Sequence, residues 1–444
     1  MGLGTGARKG VPAIGVAACV VVAVSAVGAW ALSGSPSGAA RPTPVGVGAG
    51  GATSDMSAMN GMSDMSGMGD MPGVAHTTGA RTTVTAAAPH AAAPAVGPTL
   101  PGGKVRVHYI AADPVAWDYA PSGKNRITGQ DLGDAEATWT ASGPDRIGHV
   151  YMKSLYREYT DATFTKLVPR PARWEHLGML GPVIHAEVGD TIEVVFRNNT
   201  PYPASMHPHG VLYDKDSEGA PYADGTGAED KTDDAVVPGA SHTYVWKVPE
   251  RAGPGPGDGS SVMWMYHSHT DEVADTYAGL MGAIIVTRRG MARADGSPKD
   301  VDREFIVNFM VENENESSWI DTNIARYTGD PSSVHKDDDE FNESNLMHSM
   351  NGYVFGNLPG LTMHKGDRVR WYVMGMGTEV DIHTPHWHGN TVLAMGMRTD
   401  TVSVFPATMV VADMRPDNVG KWLFHCHVAD HITAGMLATY TVEP

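Results

Sequence analysis

Cysteine is nearly absent from this sequence of 444 residues, which holds only Cys19 and Cys426. Cys19 lies in the apolar run VPAIGVAACVVVAVSAVGAWAL, behind Arg8 and Lys9. A basic stretch followed by a long apolar one reads as an export signal, with Ala29-Trp30-Ala31 as a cleavage site. The run is also long enough for a retained membrane anchor. Val16-Ala17-Ala18-Cys19 has the form of a lipoprotein box, but apolar residues continue well beyond it. Residues 1–32 are therefore expected to be a signal peptide or a membrane anchor, and the protein to be extracellular or at the cell surface. Once a signal is removed, Cys426 is the sole thiol and no intrachain disulfide can form, despite an oxidising destination. A lone cysteine in an exported protein needs a reason. Positive charge is also in deficit. Lys and Arg total 32 against 50 Asp and Glu, a net charge of −18. That excludes nucleic acid as a natural partner and disfavours an anionic membrane surface, leaving a membrane link only through a retained N-terminal segment. Long amphipathic helices are missing too.

From residue 33 to about 100 there are almost no aromatics, and Ala, Gly, Ser, Thr and Pro dominate. This composition cannot bury a core and reads as a disordered linker. Inside it stands DMSAMNGMSDMSGMGDM, with Met56, Met59, Met62, Met65, Met68 and Met71 at every third position. A period of three fits neither helix nor strand. The repeat is either an incidental low-complexity tether or a set of thioethers that captures Cu(I).

Beyond Lys104 the pattern changes to short alternating runs between turn signals. DTIEVVF sets Ile192, Val194 and Phe196 against polar neighbours, and DRVRWYV does so with Val369, Trp371 and Val373. GAIIV and LATYTV are further strands. The pattern predicts an all-β protein of sandwiches. It also repeats. LGPVIHAEVGDTIEVVF, MHPHG, MYHSH and AGLMGAIIV are followed in the same order by LPGLTMHKGDRVRWYV, HTPHWHG, LFHCHVADHITAGM and LATYTV. One β domain is thus duplicated, over residues 101–292 and 299–444.

Twenty histidines are present, and ten stand in four tight clusters. On a strand, residues i and i+2 share a face, so each His-x-His aims two imidazoles at one place. His207, His209, His267, His269, His386, His388, His425 and His427 make eight neutral nitrogen ligands. These are too many for one zinc ion and suit a cluster of borderline metals between domains. Cys426 lies between His425 and His427 and points to the opposite face. There it can meet His383, His431 and Met436, the ligand set of a blue copper electron-transfer site. The first repeat keeps its four cluster histidines but loses the second set. Aligned on spacing, Cys426 becomes Ser268, His383 becomes Ala204, His431 becomes Val273 and Met436 becomes Leu280.

Together these motifs resemble those of multicopper oxidases. The resemblance covers about residues 104–444 and implies two cupredoxin-like domains and four copper ions per chain. It assigns His207 and His386 to a type 2 copper. It assigns His209, His267, His269, His388, His425 and His427 to a type 3 pair, and Cys426, His383, His431 and Met436 to type 1. Two domains with type 1 copper only in the second resemble the small-laccase-like class, which implies a homotrimer with copper clusters at subunit interfaces. Wider stretches, among them VAWDYAP, LGMLGPVI and ESNLMHSMNGYVFGNLPGLTM, look more like ceruloplasmin. On that likeness Glu343, His348 and Asp430 match an iron site, while Asp430 also matches a proton donor of other family members. The expected reaction takes one electron at a time from a small reductant, either Fe(II) or Cu(I) or a phenol, and reduces O2 to water. Asp271, Glu272 and Asp430 are candidates to orient the imidazoles. The rival readings are a phenol-oxidising laccase, a two-domain copper nitrite reductase and a non-enzymatic copper storage or resistance protein.

Overall fold

The computed structural model describes residues 102–444. The export segment with Cys19, the linker and the methionine repeat lie outside the described residues. Among the described residues no helix is long and apolar enough to cross a membrane.

Four sheets carry the fold, paired as two sandwiches. In the first sandwich one sheet orders its strands Val150–Tyr159, Val105–Asp118, Thr191–Asn198 and Ser241–Lys247. The other orders Ile184–Glu187, Met281–Thr287, Ser261–His267 and His207–Pro208. The second sandwich repeats this plan. Arg303–Asn313 lies between Leu346–Met350 and Val369–Gly375, and Thr408–Met414 follows, with two short strands beyond it. Its other sheet orders Thr362–His364, Leu437–Glu443, Gly420–Cys426 and Pro385–Trp387. The duplication read from the sequence is therefore a duplication of topology. Val105–Ala112 runs parallel to Thr191–Asn198 as Arg303–Phe309 runs parallel to Val369–Gly375.

Alternation decides which face is buried. Ile192, Val194 and Phe196 are fully buried in the first core with Tyr244, Trp246 and Ile284. Val369, Trp371 and Val373 do the same in the second, where Trp371 packs at 4.9 Å on Phe424. The intervening Arg370 and Tyr372 are not on a wet face, as simple alternation would have it. They are buried as well, because that face meets the first sandwich. Arg370 donates to the hydroxyls of Ser260 and Ser261, and Tyr372 pairs with Ser261 at 2.7 Å. A methionine-rich seam joins the sandwiches, with Met263, Met265 and Met281 against Met310, Met374 and Met376. Unbranched thioether side chains fill such irregular space well.

The first His-x-His of each repeat is followed by a glycine for a steric reason. Gly210 and Gly389 have φ of +75° and +71°. A Cβ at either would lie 2.2 Å from Trp264 or 2.6 Å from Trp422. The turn must be tight and left-handed to send the chain away under that indole.

Candidate metal centre

Pairing of the central strands assembles the histidines. His207 pairs with His267 and His386 with His425 across antiparallel ladders. The first quartet gathers His207, His209, His267 and His269 with ring centroids 5.2 to 5.6 Å apart. The second gathers His386, His388, His425 and His427, centroids 4.7 to 5.5 Å apart. In each quartet two Nε2 atoms face one another at about van der Waals contact: His209 and His267 at 3.1 Å, His388 and His425 at 3.0 Å. The outer nitrogens are tied to backbone carbonyls. His207 Nδ1 pairs with Glu218 O, His267 Nδ1 with Ser268 O, His386 Nδ1 with Asp400 O and His425 Nδ1 with Cys426 O. A carbonyl accepts only, so each of these Nδ1 atoms carries the proton and each Nε2 offers a lone pair inward. Burial holds the rings neutral: His267 is brought down to about 3 and His209 to about 4, and His207, His388 and His425 are lowered. Converging imidazoles held neutral by burial are a metal-ready donor set.

The other face of the Gly420–Cys426 strand holds the second set. Cys426 Sγ lies 3.5 Å from His431 Nδ1 and 3.9 Å from His383 Nδ1, and the two Nδ1 atoms are 3.1 Å apart. Met436 is fully buried in the same core, and its carbonyl accepts from Cys426 N. Burial alone would push the Cys426 thiol up. Hydrogen bonds with His383 and His431 outweigh it and bring the thiol down to about 6. A thiolate, two inward Nδ1 lone pairs and a thioether fit a mononuclear soft-metal centre. His383 is held from behind. Its Nε2 meets Asp381 Oδ1 at 3.2 Å, and Asp381 also accepts from Val311 N and Thr378 N. That carboxylate is fully buried and fixes which ring nitrogen is free.

The corresponding place in the first sandwich carries no such set, and the structure corrects one part of the expected correspondence. Thr384 N donates to Cys426 Sγ at 3.4 Å as Ser205 N donates to Ser268 Oγ at 3.0 Å, so Ser268 does replace Cys426. Cys426 N donates to Met436 O as Ser268 N does to Leu280 O, so Leu280 replaces Met436. Val273, however, is exposed and does not replace His431. The helix Glu272–Ala278 has seven residues where Ala429–Thr433 has five, and the extra residues shift the register. Asp275 takes the place instead: its carbonyl caps Leu280 N as that of His431 caps Met436 N. Its carboxylate accepts from Ser268 Oγ at 2.6 Å. Burial brings Asp275 up to about 6. Where the second sandwich sets Cys426 against His431, the first has a Ser268–Asp275 hydrogen bond.

Of the acids expected to orient imidazoles, only Glu272 reaches one, with Oε2 3.3 Å from His269 Nε2 at the surface. Asp271 caps its helix through Ala274 N. Asp381 and the carbonyls of Glu218 and Asp400 hold that role. They sit on loops outside the His-x-His motifs, where spacing gives no signal. Beside His431 stands His348, and Asp430 is within Coulombic reach of Glu343. The His348 ring lies 5.2 Å from that of His431. Burial pushes the Glu343 carboxyl up, the Trp139 indole N–H opposes this, and the Asp430 charge adds to the rise. His348 is lowered to about 4, by burial first and then by His431.

Two family profiles described as multicopper oxidase match residues 159–290 and 327–444. Human ferroxidase HEPHL1 is 46% identical over 347 residues, which is 78% of this chain and 30% of that protein. Human ceruloplasmin is 44% identical over 345 residues, 76% of this chain and 30% of that protein. The chain thus spans about a third of the length of the curated relatives it matches. A solved structure titled as a multicopper oxidase aligns with a TM-score of 0.49 and 20% identity, over 78% of this chain and 92% of that one. With two matching profiles over the two histidine-bearing repeats, the chain belongs to the multicopper oxidase family.

Proposed function

We propose that the protein oxidises a small reductant one electron at a time at Cys426 and reduces O2 to water at the histidine quartets. The observation that carries this is the strand His425-Cys426-His427. It puts a buried thiolate on one face and members of a histidine quartet on the other, joined by two peptide links. Bound copper supplies one-electron oxidation at a mononuclear site and four-electron reduction of O2 at a three-copper site. Cys426, His383, His431 and Met436 would hold the first as type 1. His207 and His386 would hold type 2 copper, and His209, His267, His269, His388, His425 and His427 the type 3 pair, four ions per chain. The protein's own part is to keep these imidazoles neutral, fix their tautomers from behind, and provide a short covalent route between the two faces.

The reductant we propose is a metal ion, Fe(II) or Cu(I). On this reading Glu343, His348 and Asp430 supply two carboxylates and one imidazole, donors of the kind that bind divalent iron; His348 stands beside His431, and Asp430 is within Coulombic reach of Glu343. The name of one relative, ferroxidase HEPHL1, points the same way. Phenol oxidation is the second reading, since outer-sphere electron transfer accepts any reductant of suitable potential. On the same reading residues 101–292 and 299–444 are the duplicated domains, the protein is exported, and Met56, Met59, Met62, Met65, Met68 and Met71 collect Cu(I).

Each quartet supplies half of an eight-ligand set. Among the described residues, ring contacts join histidines within a quartet and none joins the two quartets. The apolar side chains Val273, near His269, and Ile382, beside His383, are each 48% exposed. Two half-sites, each in a different sandwich, favour closure between subunits as a homotrimer, each first quartet facing a second quartet of the next chain. Sedimentation equilibrium with copper analysis tests this. The expected result is a trimer with four copper ions per chain. A monomer that holds all four would contradict it.

A further inference from the structure

Four charged side chains are sealed in and beside the seam between the sandwiches. Lys153 comes from the strand Val150–Tyr159 of the first. Glu312, Glu314 and Asp381 come from the second, and all four are at most 1% exposed. The single ammonium is fully used. Lys153 Nζ pairs with Glu314, donates to the Tyr277 carbonyl at 2.5 Å and to the Tyr119 hydroxyl at 3.1 Å. Glu314 Oε1 also accepts from Tyr119. Asp381 is satisfied as an anion by two backbone amides and by His383 Nε2–H.

Glu312 has the poorest surroundings of the three. Its Oε2 stands 4.0 Å from Lys153 Nζ and has no hydrogen-bond partner, and its Oε1 has only Ser349 Oγ at 3.5 Å. Three buried carboxyl groups share one cation, and a buried carboxylate without a partner takes a proton instead of staying charged. Glu312 is also within Coulombic reach of Asp381, which holds the ligand His383.

We propose that Glu312 is a positioning residue that balances the charge of the mononuclear site. It binds a proton from solvent when an electron arrives at that site and returns the proton when the electron moves on. This rests on the copper reading of Cys426, His383, His431 and Met436 given above. The bookkeeping closes: the electron comes from the reductant, the proton from water, and neither is consumed in the exchange. An added electron in a low-dielectric interior raises the proton affinity of a nearby carboxylate, while Lys153, already paired with Glu314, has no charge to spare.

Burial pushes Glu312 up to about 8, Lys153 opposes this, and Glu314 and Asp381 add to it. The groups that face it are Lys153, Glu314, Asp381, Ser349 and the phenols of Tyr119 and Tyr277. Both phenols are raised, by burial first and then by these carboxylates, so they keep their protons through the same range. Burial raises Glu314 too, but Lys153 and the Tyr119 hydroxyl oppose this through direct hydrogen bonds that Glu312 lacks, so Glu312 is the group the test addresses.

The test is the midpoint potential of the copper–thiolate absorption band, measured from about pH 6 to about pH 10. In the wild type the potential falls with rising pH in a window around pH 8. Glu312→Gln keeps the band and loses the slope. Glu314→Gln moves the window to lower pH, because Lys153 is then free to pair with Glu312. In the metal-free protein at neutral pH, infrared spectroscopy shows the carbonyl band of a protonated carboxyl that Glu312→Gln lacks. A slope that survives in Glu312→Gln, a wild type without a slope, or no carbonyl band assignable to Glu312 would overturn the proposal. A copper-loaded wild type with no thiolate band at all would overturn the copper reading itself, which separates the two failures.

Discussion

Cys426→Ser reduces oxygen uptake to the uncatalysed background with every reductant, and it removes the thiolate absorption band, while copper stays on the histidine quartets. The expectation follows from the two faces of one strand. Among the described residues Sγ is the only thiolate within reach of His383 and His431, and a serine hydroxyl stays protonated there and cannot replace it. His425 and His427 keep their backbone positions, because strand pairing and not the thiol fixes them. Ser268 in the first sandwich shows that a serine fits this position without disturbing the adjacent quartet. Copper analysis checks retention, and oxygen uptake checks the loss. A variant that still consumes oxygen would move electron entry away from Cys426.

The second large effect separates reductants. Glu343→Ala, His348→Ala and Asp430→Ala each lower kcat/KM for Fe(II) by roughly 10- to 100-fold, the usual cost of removing a group that supports a metal. Oxidation of a methoxyphenol stays within about twofold, because none of the three holds Cys426 or its copper partners. pH separates the reductants further. The Glu343 carboxyl is raised by burial and by Asp430. It binds a cation when ionised, so metal oxidation is present above that raised value and is lost as pH falls through it. Phenol oxidation does not follow this acid limb. Equal losses for both reductants in the three variants would make these residues supports of His431 instead of a substrate site.

Local patterns carried most of the fold and half of the site. Alternation in DTIEVVF and the His-x-His spacing report which side chains share a face, and both survive folding because strand geometry is local. They fail where a partner comes from far along the chain. Asp381 sits two residues before His383, yet its role depends on Val311, some 70 residues away. Lys153 reaches Glu314 across 161 residues of chain. Neither contact leaves a periodic trace. The correspondence of Val273 with His431 failed for another reason: spacing from the preceding histidine ignores a helix lengthened by two residues, and the cap at Leu280 puts Asp275 there. The wet face expected for Arg370 and Tyr372 was covered because a second sandwich packs on it, which one strand's pattern cannot reveal.

The seam gives the mononuclear site a second support. Removing one member of a buried ion pair leaves a charge unpaired and costs about 3–5 kcal/mol. Lys153 thus ties the first sandwich to Glu314, just past the strand Arg303–Asn313, whose Val311 N–H donates to Asp381 behind His383.

The central claim, oxidation of a reductant coupled to full reduction of O2, is tested most directly by stoichiometry. Copper-loaded protein is given Fe(II), Cu(I) or a methoxyphenol in parallel, and the rate with Cys426→Ser is subtracted. The account predicts uptake with a metal ion, four electrons delivered for each O2 consumed, and no hydrogen peroxide released. Protein that holds its copper and consumes no oxygen with any of the three would contradict it and leave copper storage as the function.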